Sequence, residues 1–248
     1  MISIAILVVL FAVIGLIGWI WWPDANELVD EAASGDVAGV RRCLRFGVNP
    51  NAPSLWGWEH KNKGPTALTA ASRTGRLDVV KYLLEHGAKI NNRDGQGNTA
   101  VIEAAGSGNL ALVQYLFDQG ADLHISDING STALHPAASL GHIPVISFLL
   151  DLGMPINITD KFGNTPLMRA CQTGNVEAVR YLLSRNADAS IGGYRNTAID
   201  IVRGHLAARQ RDHDLYATKN NWSESEYLTA IEPYQQILEL LSAPSRGE

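Results

Sequence analysis

The side chains best suited to chemistry in this 248-residue chain lie near its end. His205, Asp212, His213 and Asp214 are all of types that can ligate a metal. Their spacing matches no tight ligand motif such as HExxH, which sets two histidines on one helix face. The stretch reads as a solvated insertion rather than a metal centre. Gly192-Gly193 is a turn, not a phosphate-cradling loop. The only two cysteines, Cys43 and Cys171, fall in register with Leu83 and Ala71, so they read as core fillers, not nucleophiles. Two cysteines also cannot build a disulfide scaffold. No Ser-His-Asp set or carboxylate pair stands out along the chain. The expectation is a protein without catalysis, cofactor, metal or small-molecule substrate. A net charge of −5 and a pI near 5.8 argue against a basic nucleic-acid binder.

The elements around these residues repeat with a period of 33. Thr66, Thr99, Thr132 and Thr165 stand 33 apart, each opening a short stretch that ends in Ala. Nine residues after each comes a glycine: Gly75, Gly108, Gly141 and Gly174. Twelve further on stand Gly87, Gly120, Gly153 and Asn186. A degenerate copy precedes, marked by Gly35 and Gly47, and another follows from Thr197. Each unit predicts a helix capped by Thr, a glycine break, and a second helix. The second helix has apolar residues at i, i+3 and i+4, as in Val80, Leu83 and Leu84 or Val113, Leu116 and Phe117. Gly or Asn then ends that helix in the left-handed region. Asp94-Gly-Gln-Gly97, Asp127-Ile-Asn-Gly130 and Asp160-Lys-Phe-Gly163 read as turns, with Asp to bond its own backbone and Gly for positive φ.

This pattern resembles the ankyrin repeat family, whose hallmark is a 33-residue unit containing T-P-L-H-x-A. Thr132-Ala-Leu-His135 and Thr165-Pro-Leu167 come closest to that motif, and the resemblance runs from about Ala25 to about Leu241. It implies an all-α solenoid of helix-turn-helix repeats with β-turn fingers, and a binding rather than catalytic role. It also implies that His135 serves a local hydrogen-bond role. The expected organisation is an anchor at 1–22, a linker at 23–24, a degenerate first repeat at 25–64, four repeats at 65–196, and a capping repeat at 197–248.

Departures from the period are visible. The first finger holds about seven extra residues, including Pro50, Pro53, Trp56, Trp58, His60, Lys61 and Lys63. Pro136 lies inside a first helix and is expected to bend it. After a helix over Asp200–Gln210, a polar insertion at 209–222 is expected. Ser223-x-x-Glu226 then forms a capping box, and Pro233 restarts the helix. Tyr234, Ile237, Leu238 and Leu241 face one way and Gln235, Gln236 and Glu239 another, as a terminal cap requires.

Residues 1–22 hold 19 apolar side chains, two Gly, one Ser and no charge. As a helix, Ile2 to Trp22 would rise roughly 32 Å, matching the ~30 Å hydrocarbon core. Trp19, Trp21 and Trp22 would sit at the headgroup layer. No Lys or Arg precedes the run, and bulky residues occupy the place of a cleavage site, so it reads as an anchor rather than a cleaved signal. The remainder has an apolar share of roughly 42%, ordinary for a globular chain. The expected location is a bacterial inner membrane. Acidic residues follow the anchor before Arg41, so the repeats are expected on the side away from the cytoplasm.

In a solenoid the residues that the fold does not need are free to bind. Register marks Gln96, Asn98, Ile128, Asn129, Lys161, Phe162, Tyr194 and Arg195 on the fingers, and Arg73, Ser107, Leu140, Gln172 and Thr173 on the inner helices. Trp56 and Trp58 in the enlarged finger are candidates for partner or headgroup contact. The expected function is a membrane-anchored scaffold for a protein partner. Two alternatives remain: an immunity protein neutralising a secreted toxin, and an enzyme using the carboxy-terminal insertion.

Overall fold

The computed structural model describes residues 23–55, 63–193, 196–216 and 224–242. The anchor expected at 1–22 lies outside them, as do Trp56, Trp58, Tyr194 and Arg195. Among the described residues, no helix is long and apolar enough to cross a membrane.

Among the described residues, six antiparallel helix pairs follow one another along the chain. The first is α1 (Ala25–Ser34) with α2 (Val37–Arg45). Then come α3 (Ala67–Arg73) with α4 (Leu77–Glu85), and α5 (Ala100–Ser107) with α6 (Leu110–Asp118). These are followed by α7 (Leu134–Leu140) with α8 (Ile143–Asp151), and α9 (Pro166–Thr173) with α10 (Val176–Ser184). The last pair is longer: α11 (Ala198–Tyr216) with α12 (Glu224–Ser242). The first helix of each of the five leading pairs packs on the first helix of the next, forming an inner row with the second helices outside. This is an all-α repeat solenoid.

Local chemistry sets the helix ends. Thr66 and Thr165 cap α3 and α9 through their side-chain oxygens, which accept N–H bonds from Thr69 and Met168. Asp24, Asp36, Asn109 and Asn175 do the same for other helices. Asn186 is the one non-glycine residue at positive φ among those described, at 64°. It stands where Gly87, Gly120 and Gly153 end the other outer helices.

The core is one continuous apolar layer between inner and outer helices. Small Ala pairs such as Ala104 and Ala105 let inner helices approach, and both are fully buried. The outer helices bury a slightly different stripe from the expected one. Val79, Leu112, Val145 and Ala178 are in the core, while Leu84, Leu150 and Leu183 are half-buried. Phe117 is exposed, lying edge-on to Phe148 at 6.0 Å. The buried arc of these nine-residue helices centres on i, i+1 and i+4, because each is pressed by its own inner helix as well as by the next repeat.

Four further expectations need correction. The enlarged first finger contains a short antiparallel hairpin, β1 (Pro53–Leu55) with β2 (Lys63–Thr66), so the solenoid is not purely helical. Pro136 does not bend α7 from within. The helix starts one residue later than its counterparts, which puts Pro136 in the first turn, where a missing N–H costs nothing. The polar stretch after Gln210 is not a loop at first, since α11 continues to Tyr216. Pro233 does not restart a helix. It lies within α12, which runs on without the rung that its missing N–H would supply. Packing of Tyr227, Ile231, Tyr234 and Ile237, all buried, holds that helix together. Gln235, Gln236 and Glu239 face water as the capping role requires.

Gly120 and Gly130 separate two reasons for glycine. Both have positive φ, 88° and 81°. A Cβ on Gly120 would meet nothing within 4 Å, whereas one on Gly130 would lie 2.9 Å from the backbone nitrogen of Lys161 in the next finger. Gly120→Ala should therefore lower stability by about 1 kcal/mol, the conformational term alone. Gly130→Ala should cost about 3 kcal/mol, because the fingers must also separate. Urea denaturation midpoints of the two variants check the order.

Candidate interaction surface

Three of the fingers are each braced by one aspartate. Asp94 Oδ1 accepts the N–H groups of Gln96 and Asn98, both at 2.9 Å. Asp127 Oδ1 accepts those of Asn129 and Ser131 at 2.8 Å, and Asp160 Oδ1 those of Phe162 and Asn164 at 2.9 and 2.8 Å. The fingers are then laced together through their backbones. Gly95 N–H donates to the Gly64 carbonyl at 3.1 Å, Ile128 to Gln96 at 3.0 Å, and Lys161 to Asn129 at 2.8 Å. One backbone-to-backbone hydrogen bond at each of these joints places neighbouring finger tips side by side along one edge.

The three aspartates share a motif but not an environment. Burial raises the pKa of Asp94, and the N–H bonds from Asn98 and Gln96 do not offset it. Asp160 is also buried, yet hydrogen bonds from Asn164, Arg169 and Phe162 outweigh burial and hold its carboxyl below the ordinary value. The Asn164 side-chain amide, which donates to the Asp160 carboxylate, contributes most, and Arg169 adds a salt bridge to Oδ2. Position 136, one repeat before Arg169, is proline, so Asp127 has no such partner.

His135 joins repeats as the resemblance implies. Its Nδ1 accepts the Thr132 N–H at 3.2 Å, and its Nε2 donates to the Asn164 carbonyl of the next finger at 3.2 Å. That tautomer leaves no acceptor for catalysis. Burial is the main reason that its pKa lies below the usual histidine value. In the other repeats Thr69 and Met168 face the equivalent threonine. Ile102 cannot, and the buried Thr99 hydroxyl is left without a partner.

The sequence-marked residues divide into three groups. Ile128, Leu140 and Phe162 are large apolar side chains with 48%, 56% and 50% of their surface exposed. Gln96 and Asn129 are exposed beside them. A second group is spent on internal bonds. Arg73 donates twice to Glu103, at 2.9 and 2.7 Å, and Asn98 donates to the same carboxylate at 2.9 Å. Lys161 Nζ donates to the Ile128 carbonyl at 2.7 Å, Ser107 to Ala104 at 2.8 Å, and Thr173 to Ser139 at 2.7 Å. Gln172 is half-buried between Asn164, Arg169 and Tyr234. The third group, Trp56, Trp58, Tyr194 and Arg195, lies outside the described residues.

Sequence register did not mark Glu103, Asp127 or Arg169, although all three line the concave face. They bound an open hollow of about 440 Å³ between the third and fourth repeats, floored by Ile102, Pro136 and Leu140. For Glu103 and Arg169 the available signal was a charged residue four after the repeat threonine.

The supposed reactive groups are quiet. Burial pushes the Cys43 thiol up to about 11 and Cys171 up to about 12, away from a reactive thiolate. His205 stacks on Tyr234 at 5.0 Å, and Arg209 lies 4.5 Å over the same ring. The side chains of His213 and Asp214 lie outside those described. Among the described residues, no three His, Cys, Asp or Glu side chains converge to hold a metal.

A braced finger row in front of a row of short inner helices defines a helix-turn-helix repeat module with a concave interaction surface. A family model described as ankyrin repeats (3 copies) matches residues 28–127 and 119–192, about two thirds of the chain. The chain belongs to the ankyrin repeat family, whose repeats form protein–protein interaction modules. Over 71 residues it is also 37% identical to the 2-5A-dependent ribonuclease of Mus musculus. That stretch covers 28% of this chain and 9% of the relative, so the ribonuclease name describes a far longer protein.

The state of His135 sets a pH dependence. The folded chain holds the imidazole neutral, so the unfolded chain binds its proton more readily. The contribution is full above the ordinary value of 6.5 and is lost as pH falls below it, towards the lower folded value. Thermal midpoints should therefore fall on acidification below pH 6.5. His135→Thr, which copies Thr69, should flatten that slope.

Proposed function

We propose that the chain is a membrane-tethered, non-catalytic scaffold that holds a protein partner on its concave face. One observation carries the reading: Ile128, Leu140 and Phe162 stand half exposed on finger tips and an inner-helix end of adjacent repeats. Other large apolar side chains such as Phe46 and Leu152 are also exposed, but these three lie on the finger and inner-helix side of adjacent repeats, which favours a partner that covers them. Gln96 and Asn129 supply polar rim groups beside them. By sequence register alone, Tyr194 and Arg195 fall at finger positions and Trp56 and Trp58 in the enlarged first finger, so we count them as candidates for the same contact. Arg73, Asn98, Ser107, Lys161, Gln172 and Thr173 hold the surface in shape through their internal bonds, so their part is to position the contact residues.

The apolar run at 2–22 is long enough to span a bilayer, and it begins one residue into this sequence. The tether raises the concentration of the module at the surface, so modest affinity suffices there. We place the repeats on the side of a bacterial inner membrane away from the cytoplasm, following the acidic flank after Pro23.

Purification from cross-linked membranes should recover a protein partner. Replacing Phe162, Tyr194 and Arg195 together by Ala should weaken capture by about tenfold or more, with the helical circular dichroism unchanged. Retention of the same partner at the same strength would refute this surface. Deleting residues 2–22 should move the protein from the membrane fraction to the supernatant. A compartment-specific reporter fused after Glu248 should be active outside the cytoplasm.

A further inference from the structure

The hollow between the third and fourth repeats has a definite origin. Position seven after the repeat threonine carries Arg73 in the second repeat and Gln172 in the fifth, but Gly106 and Ser139 in between. Two long side chains are thus missing side by side. The same joint is looser than its neighbours: α5 and α7 touch less extensively than α3 and α5 or α7 and α9. The result is the space of about 440 Å³ over Ile102, Pro136 and Leu140.

The four charged side chains lining this space sum to zero, but they do not all pair with one another. Arg73 is held in a two-pronged salt bridge by Glu103, whereas Arg169 turns to Asp160, outside the lining, through a single contact. The remaining charge is the half-buried carboxylate of Asp127. Its Oδ1 is taken by two backbone N–H groups, while its Oδ2 receives no hydrogen bond or salt bridge from any described residue. An apolar floor with one uncompensated carboxylate at its edge fits a long cationic side chain. The methylene stem would cover Ile102, Pro136 and Leu140, and the head would reach Asp127.

We propose that this hollow receives an arginine or lysine side chain projecting from the protein partner, with Asp127 as its counter-ion. The inference rests on the protein-binding reading above and names one chemical feature of the partner. An anionic side chain is disfavoured, because both arginines at the rim already have carboxylate partners, Arg73 in Glu103 and Arg169 in Asp160.

The test uses amide chemical shifts of the full chain titrated with N-acetylarginine amide. Neutral N-acetylcitrulline amide and anionic N-acetylaspartate amide serve as controls. Saturable shifts at Gly106, Asn129, Ser131 and Ser139 are expected from the arginine probe, with about tenfold weaker binding of citrulline. Asp127→Asn keeps the oxygen that braces the finger and should weaken arginine binding by a similar factor. Gly106→Gln fills the space from within. A Cβ there meets Pro136 Cβ at an ordinary 3.6 Å, so this variant should fold, keep its thermal midpoint or raise it, and lose the shifts. Equal binding of citrulline, shifts from the aspartate probe at these amides, or unchanged binding in Asp127→Asn would each overturn the proposal. Should the arginine titration fail while the triple alanine variant still loses its partner, the concave-face reading stands and only the cationic anchor falls.

Discussion

No helix pair in this chain can bury its own apolar stripe. Each is too short and has only one partner helix, so the core exists only because the next pair covers it. That constraint explains the alanine pairs on the inner helices, the tight turns that set the repeat length, and the long final pair. In the last described pair, α12 presents an apolar side to α10 and α11 and a polar side to water. Tyr234 is central to this closure. It packs against Gly174, stacks on His205 and lies beneath Arg209. The histidine that invites a metal reading in one dimension is thus a packing element in three.

Stacking also determines what the surface can do. Fingers joined by one backbone hydrogen bond each keep a fixed spacing, and the inner helices behind them cannot turn without breaking the core. The concave face is therefore preorganised, and a partner that docks on it orders little beyond its own side chains. Internal bonds such as Arg73 to Glu103 and Thr173 to Ser139 serve the same end. They link adjacent repeats across the concave face, so the residues that stiffen the module lie on the surface proposed for recognition.

The third repeat is the irregular joint. Its Thr99 hydroxyl has lost its usual partner because Ile102 stands where His135 or Thr69 would. Gly106 leaves a gap on the inner face, and the proline of the following repeat removes the basic group that would neutralise Asp127. Each substitution departs from local consistency, and all three converge on one place. Departures of this kind cluster where a protein gives up packing for binding.

The repeat itself was legible in the sequence because its signals are local. A threonine cap, a glycine at positive φ and an aspartate bonding its own turn act within a few residues, and their recurrence every 33 announces the stack. Helix ends at Pro136 and Pro233 were less legible, since the cost of a proline depends on which turn it occupies and on how firmly the helix is packed. The exposed Ile128, Leu140 and Phe162 could be marked from register alone, because solenoid geometry assigns those positions to the surface. The chain by itself could not reveal which surface groups remain available. Arg73 meets Glu103 and Lys161 meets the Ile128 carbonyl across non-equivalent positions of neighbouring repeats, and no periodicity pairs them. Only the tertiary structure leaves Asp127 unpaired beside a hollow, because charge compensation is settled by distances between side chains that are far apart in sequence.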